Sequence, residues 1–197
     1  TQVIAAVVLA AGASSRMGSP KALLEAGGET FVDRLIGVFA GRCEPVIVVL
    51  GYHAEAVRAG MLRAGEAELV VNTHPEDGQL SSLQCGFASV PDNAEAVIFT
   101  PVDCPGFRPE TVTKLIDAFR RTGARAVVPV YRGRRGHPVL CSRELAAEIS
   151  ALPPGSRARD SVHMPGTLYL EAGDPGVVRD IDDPAAYREF LASGILP

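Results

Sequence analysis

Apolar and polar positions along the chain fall into blocks of two kinds. Val3–Ala11 (VIAAVVLAA), Val46–Leu50 and Ala96–Thr100 are apolar without alternation, the pattern of strands covered on both faces. Between the first two, Phe31, Leu35, Val38 and Phe39 recur at helical spacing behind Thr30, a residue suited to cap a helix. A helix is expected around Ala54–Arg63, a short strand at Glu68–Val71 and a helix near Ser81–Ser89. Pro109 stands where a helix can start, and Val112, Leu115, Ile116 and Phe119 supply its inward stripe. Ala126–Val130 and Pro138–Cys141 flank a Gly- and Arg-rich turn and read as a hairpin or a pair of edge strands. Helical segments at Glu144–Leu152 and Arg157–Met164, a last strand at Val177–Asp180 and a helix after Pro184 complete the pattern. Strands alternating with helices predict an α/β fold with a mainly parallel sheet. No linker or repeat interrupts the order, so residues 1–197 are expected to form one domain.

Composition removes several classes of function. With 19 Lys and Arg against 23 Asp and Glu, the net charge of −4 argues against holding nucleic acid by bulk electrostatics. The longest apolar runs fall far short of the ~20 residues of a membrane helix, and no charged segment precedes the first run as in a signal peptide. Cys43, Cys85, Cys104 and Cys141 form no C-x-x-C pair, so free thiols in a reducing cytoplasm are expected rather than a zinc site or redox dithiol. The 20 Gly and 15 Pro gather where the apolar runs end, which directs attention to those loops.

Open α/β sheets bind ligands beyond the carboxyl ends of their strands. Two features stand at such ends: the loop Gly12–Lys21 after the first strand, and Asp103 after Ala96–Thr100. In the loop, Gly12 and Gly18 let backbone N–H groups approach an anion, and Ser14 and Ser15 add hydroxyls. Arg16 and Lys21 can neutralise phosphate oxygens. The spacing is neither a Walker A loop nor G-x-G-x-x-G. Asp103, fixed between a buried strand and Pro105, suits a Mg²⁺ site built from one or two carboxylates, phosphate oxygens and water. Asp180 and Asp182 lie two apart at an expected strand end, so at most one of them faces that metal; Asp182 is favoured, and Asp183 beside Pro184 suits a helix cap. No nucleophile–base pair suggests a hydrolase.

The string LAAGASSRMGSPK resembles the signature of the MobA-like nucleotidyltransferases, and within that group the chain is most similar to the molybdenum cofactor cytidylyltransferases. Val71-Asn72 with Gly78-Gln79-Leu80-Ser81-Ser82-Leu83, Asp103-Cys104-Pro105, Gly136-His137-Pro138 and Asp180-Ile181-Asp182-Asp183-Pro184 resemble later blocks of the family in the family's order. The resemblance implies a Rossmann-like three-layer nucleotidyltransferase fold acting in the cytoplasm. It implies that Leu9, Ala10, Ala11, Gly12 and Ser14 hold the base, ribose and phosphates of a nucleoside triphosphate. Arg16, Lys21 and Asp103 form the implied catalytic set, with Mg²⁺ on Asp103 and Asp182. Asn72, Ser81 and Ser82 are then placed to read base or ribose, although the serines also suit a helix cap. Arg135 and His137 would grip the acceptor, a molybdopterin bearing a terminal phosphate; the same turn also reads as a solvated basic loop.

The implied reaction moves CMP from CTP to that phosphate and releases pyrophosphate. A recipient molybdoenzyme or its chaperone is the implied protein partner. CTP is favoured over GTP because Gly78–Leu83 resembles the cytidylyltransferase segment and not the G-P-L-A-G of guanylyltransferases. Two departures stand out: Cys104 replaces the family's Gln, and Asp183 replaces a Thr. The alternatives are a relative using GTP or another phosphomonoester, and a non-catalytic nucleotide-binding accessory protein. His53, His74 and His163 read as ordinary surface or cap residues.

Overall fold

A computed structural model describes residues 2–196. The first half runs β1 (Val3–Ala10), a small hairpin of β2 (Glu25–Ala26) and β3 (Glu29–Thr30), α1 (Phe31–Phe39), β4 (Val46–Leu50), α2 (Ala54–Gly60), β5 (Glu68–Val71), α3 (Gln79–Phe87) and β6 (Ala94–Pro101). The second half runs α4 (Pro109–Thr122), β7 (Ala126–Tyr131), β8 (Arg134–Arg135), β9 (Val139–Ser142), α5 (Arg143–Ser150), α6 (Ala158–Val162), β10 (Thr167–Glu171) and α7 (Pro184–Ala192).

The main sheet has eight strands in the order β10-β7-β9-β6-β1-β4-β5, with β8 paired to β7. β1 pairs in parallel with β4 and β6, β4 with β5 and β7 with β10; β9 runs antiparallel to β6 and β7. Successive side chains of β1 divide between the two faces. Ile4, Ala6, Val8 and Ala10 enter one core, which is closed by Phe31, Leu35 and Phe39 of α1 and by Leu115 and Phe119 of α4. Val7 and Leu9 enter the other, closed by Leu83 and Phe87 of α3 and by Leu145 and Ile149 of α5. Three layers follow, as the unbroken apolar runs require: a central strand without a polar face must be covered on both sides. Burying each of the larger of these side chains, Val, Leu, Ile or Phe, stabilises the fold by about 1.5–3 kcal/mol. Thr30 caps α1 as expected, its side chain accepting the Asp33 N–H at 3.2 Å.

The sheet departs from the sequence reading in three places. β7 and β9 pair with each other, but they lie inside the sheet and not at its edge. No strand forms at Val177–Asp180: Pro175–Val178 is a 3-10 turn, held by Asp174, whose side chain accepts the Gly176 N–H at 2.9 Å. The last strand is instead β10, at the sheet edge. Ser81 and Ser82 do not cap α3; the cap position is Gly78, and both serines lie in the first turn.

The order of the strands locates the crevice. The chain lays β4 and β5 on one side of β1 and then returns to place β6 on the other. The carboxyl end of β1 is therefore the point where the winding reverses, the position at which such sheets hold ligands.

Candidate active site

The loop that follows β1 folds back over this end of the sheet. Ser14 has a positive φ of 53°, its carbonyl accepts the Met17 N–H at 3.0 Å, and its hydroxyl accepts the Lys21 N–H at 3.0 Å. These bonds fix both ends of the turn that carries Arg16. His53, read as an ordinary surface residue from sequence, has Nε2 2.8 Å from the Ala13 carbonyl and lines the same cleft.

The opposite wall is the end of β6. The Val102 N–H donates to the Leu9 carbonyl at 2.9 Å, joining the segment after β6 to β1. The Ile181 N–H donates to the Asp103 carbonyl at 2.9 Å, bringing the distant 180–182 segment to the same place. Lys21 Nζ then donates to Asp103 Oδ2 at 2.9 Å and to Asp182 Oδ1 at 2.8 Å. Burial alone would lower the Lys21 pKa, but the hydrogen bonds to Asp182 and Asp103 outweigh it and hold the ammonium above its ordinary range. Burial raises Asp103, against the pull of Lys21 and helped by the negative charges of Asp182 and Asp180. The more exposed Asp182 is lowered, chiefly by its bond to Lys21.

Asp180 faces elsewhere. The buried Cys104 thiol lies 3.0 Å from Asp180 Oδ1 and 3.6 Å from Asp103 Oδ1, bridging the two carboxylates. Burial, followed by those two negative charges, pushes this thiol well above its usual range, so it remains a protonated donor. Asp183 caps α7, accepting the Ala186 N–H at 2.8 Å.

Together these segments enclose a cleft of about 350 Å³. Among the residues singled out from sequence, Leu9, Ala10, Ala11, Gly12, Ser14, Arg16, Lys21, Ser82, Asp103 and Asp182 all line it. A Cβ added at Gly12 would meet no protein atom within 4 Å, so the backbone there faces open space in the cleft. Asn72 and Ser81 are not on its walls. Asn72 Nδ2 donates to Ser81 Oγ at 2.9 Å and Ser82 Oγ at 3.1 Å, while its Oδ1 accepts the His74 N–H at 2.9 Å. Its side-chain donors and acceptor are thus occupied in joining the end of β5 to the start of α3. Arg135 and His137 line a second, adjoining cavity of about 620 Å³, which shares Leu9, Gly78, Gln79 and Pro101 with the first. Sequence reasoning missed Tyr52, His53 and Gln79 in the cleft, and Arg157, Arg159 and His163 in the cavity. None of these carries a local signal beyond its charge or ring.

The donor set suits a hard divalent cation. Asp103 and Asp182 converge from different segments on one cationic atom, the Lys21 ammonium, and offer only carboxylate oxygens to it. Among the described residues no group of three or more His, Cys, Asp and Glu side chains is arranged to hold a metal. A cation on these two carboxylates would therefore draw its remaining ligands from phosphate and water, as magnesium commonly does.

Comparison with known proteins shows the family and the fold. Residues 6–167 match the family model described as the MobA-like NTP transferase domain. The molybdenum cofactor cytidylyltransferase of Escherichia coli (strain K12) is 26% identical over 182 residues, 90% of each chain. The nicotine blue oxidoreductase of Paenarthrobacter nicotinovorans is 33% identical over 189 residues, 91% of this chain and 92% of that protein. The crystal structure of Rv0371c from Mycobacterium tuberculosis H37Rv superposes with a TM-score of 0.84 at 31% identity, covering 97% of this chain and 98% of that one. A further structure of Rv0371c is a complex with manganese. By its motifs, its fold and these matches, the chain belongs to the MobA-like NTP transferase family of nucleotidyltransferases.

Proposed function

We propose that the chain is a magnesium-dependent cytidylyltransferase that transfers CMP from CTP to the phosphate of a molybdopterin-type acceptor. The observation that carries this reading is the convergence of Lys21, Asp103 and Asp182 where β1 and β6 end, under a loop that presents Arg16. An acceptor phosphate oxygen attacks the α-phosphorus of CTP, the bond to the bridging oxygen breaks, and pyrophosphate leaves with the electron pair. A phosphate monoester is largely ionised near neutral pH, so the reaction needs no strong base. The chain's contribution is position and charge. Arg16 is placed to meet the departing phosphates, and Lys21 to neutralise the crowded α-phosphate once a metal shares its carboxylates. When bound to Asp103 and Asp182, magnesium supplies further neutralisation of the triphosphate.

CTP is preferred in this reading because Gly78–Leu83 resembles the cytidylyltransferase segment. GTP is the runner-up, since relatives named molybdenum cofactor guanylyltransferase also match. The second cavity receives the acceptor. The reaction takes place in the cytoplasm, and the product passes to a molybdoenzyme or its chaperone.

The test is pyrophosphate release from CTP, GTP, ATP and UTP, each with Mg²⁺ and molybdopterin. The expected result is release with CTP only, requiring both partners. A preference for GTP overturns the base assignment. The oxidoreductase among the relatives makes pyrophosphate the informative product, because an oxidation–reduction releases none; no pyrophosphate from any nucleotide overturns the reading.

A further inference from the structure

Three aspartates meet just beyond the end of β6, and their partners differ. Asp103 directs its two oxygens to opposite neighbours: Oδ2 accepts from Lys21 Nζ at 2.9 Å, and Oδ1 lies 3.6 Å from the Cys104 thiol. Asp182 Oδ1 accepts from the same ammonium at 2.8 Å. Asp180 Oδ1 accepts from the Cys104 thiol at 3.0 Å, and among the described residues its carboxylate has no other hydrogen-bond or ion-pair partner. Lys21 thus gathers two carboxylates on one side of Asp103, and Cys104 holds the third on the other.

The backbone alone does not make this division. The Ile181 N–H donates to the Asp103 carbonyl at 2.9 Å, which brings Asp180 and Asp182 together beside Asp103. Yet among the described residues no group of three or more His, Cys, Asp and Glu side chains is arranged to hold a metal. Cys104 is buried, whereas Asp180 is exposed and lines the second cavity. The anchor is therefore fixed, and the carboxylate it holds has room to turn once released. Cys104 is also a place where the chain departs from the motif it resembles, which has Gln there.

We propose that Cys104 is a positioning residue whose thiol keeps Asp180 out of the cation site, so that the site offers two carboxylates and not three. The inference rests on the reading of Asp103 and Asp182 as cation ligands. Magnesium bound beside a nucleotide takes one or two carboxylates and leaves its other positions to phosphate oxygens and water. A third carboxylate would fill a position that phosphate needs and cancel more of the positive charge.

The test is titration with Mn²⁺ alone, followed by electron paramagnetic resonance of the free ion, with melting curves to establish that each variant is folded. Cys104→Ala removes the donor, and Cys104→Val removes it while filling its space. Both should bind Mn²⁺ about fivefold or more tightly than the unaltered chain, because a released third carboxylate adds its charge to the site. Loss of packing alone would weaken binding, so the sign separates positioning from a structural role. Cys104→Ser keeps a donor and should stay within about twofold of the unaltered chain. In an Asp180→Asn background, Cys104→Ala should change the affinity by less than about twofold, since no third carboxylate remains to be released. Binding that is unchanged or weaker in both Cys104→Ala and Cys104→Val, or tightening that persists in the Asp180→Asn background, overturns the inference. If the unaltered chain binds no Mn²⁺, the cation reading falls and the inference with it. Pyrophosphate release from CTP, measured on the same preparations, tests the transferase reading separately. Release without these shifts leaves that reading intact, whereas the shifts without release leave the role of Cys104 intact.

Discussion

Lys21 is the residue on which the geometry of the cleft turns, because its ammonium stands between two carboxylates that come from segments 79 residues apart in the chain. Replacing it with methionine keeps much of the stem and removes the charge, leaving Asp103 and Asp182 to face each other. Lys21→Met should melt at a lower temperature than the parent chain in chelator, and regain more of the difference on adding Mg²⁺ than the parent gains. Calorimetric melting checks this, and equal responses to Mg²⁺ would show that the two carboxylates do not share a cation. The thiols make a separate prediction. Burial pushes Cys43 and Cys141 up to about 12, and Cys104 is raised well above its usual range, whereas Cys85 is only partly buried. Iodoacetamide at mildly alkaline pH should therefore alkylate Cys85 first in the native chain, and all four after denaturation, as mass spectrometry of peptides would record. That Arg16, Lys21 and Asp103 share one cleft was legible in the sequence because they lie in the segments that follow the ends of β1 and β6. Asp182 was favoured over Asp180 on the expectation of a strand end, but no strand forms there and the distinction has another origin. It depends on the Ile181 N–H bonding to the Asp103 carbonyl, and on Cys104 drawing Asp180 away.

Helix α3 shows how an element distant from the chemistry sets the cleft. Gly86 lies against β1 and β4, and a Cβ added there would stand 2.6 Å from Val7 Cγ1 and 3.0 Å from Val49 Cγ2. Gly86→Ala should cost about 1–3 kcal/mol by overpacking, measured by urea unfolding. It should also weaken CTP binding, because the start of α3 brings Gly78, Gln79 and Ser82 to the cleft. An unchanged midpoint would mean that the helix shifts freely, contrary to the packing described. Strands β1, β4 and β6 were legible because both of their faces are largely buried and their apolar runs are unbroken, whereas the two-residue strands β2 and β3 carry no such run. At Val177–Asp180 the same signal misled: Val177 and Val178 are buried in the core, but within a 3-10 turn started by Pro175. The edge strand β10 was missed for the converse reason, since Thr167–Glu171 is only partly buried and offers a weaker pattern. The place of β9 between β6 and β7 is a matter of strand order, which local patterning does not carry.

At the scale of the whole molecule, charge is separated rather than merely balanced. The chain carries a net −4; in the first cleft Arg16 and Lys21 are matched by Asp103 and Asp182, whereas around the second cavity Arg134, Arg135, Arg157 and Arg159 outnumber Asp77 and Asp180. The excess of positive charge thus lies around the second cavity of an acidic protein, which favours a small anion there over nucleic acid. Ligand binding to the folded state alone should raise stability, by about 2.7 kcal/mol at a hundredfold excess over Kd. CTP with Mg²⁺ is accordingly expected to raise the melting temperature, and the gain should shrink when the metal is chelated. The central claim is that Asp103 and Asp182 serve a cation that neutralises a reacting triphosphate. Its most direct test is the rate of pyrophosphate release from CTP as a function of Mg²⁺ concentration, with molybdopterin present, in the parent chain and in Asp103→Asn. The rate is expected to rise to saturation with Mg²⁺ in the parent chain and to fall about a hundredfold or more in the variant. A variant that releases pyrophosphate at the parent rate, with the same Mg²⁺ dependence, would contradict that claim.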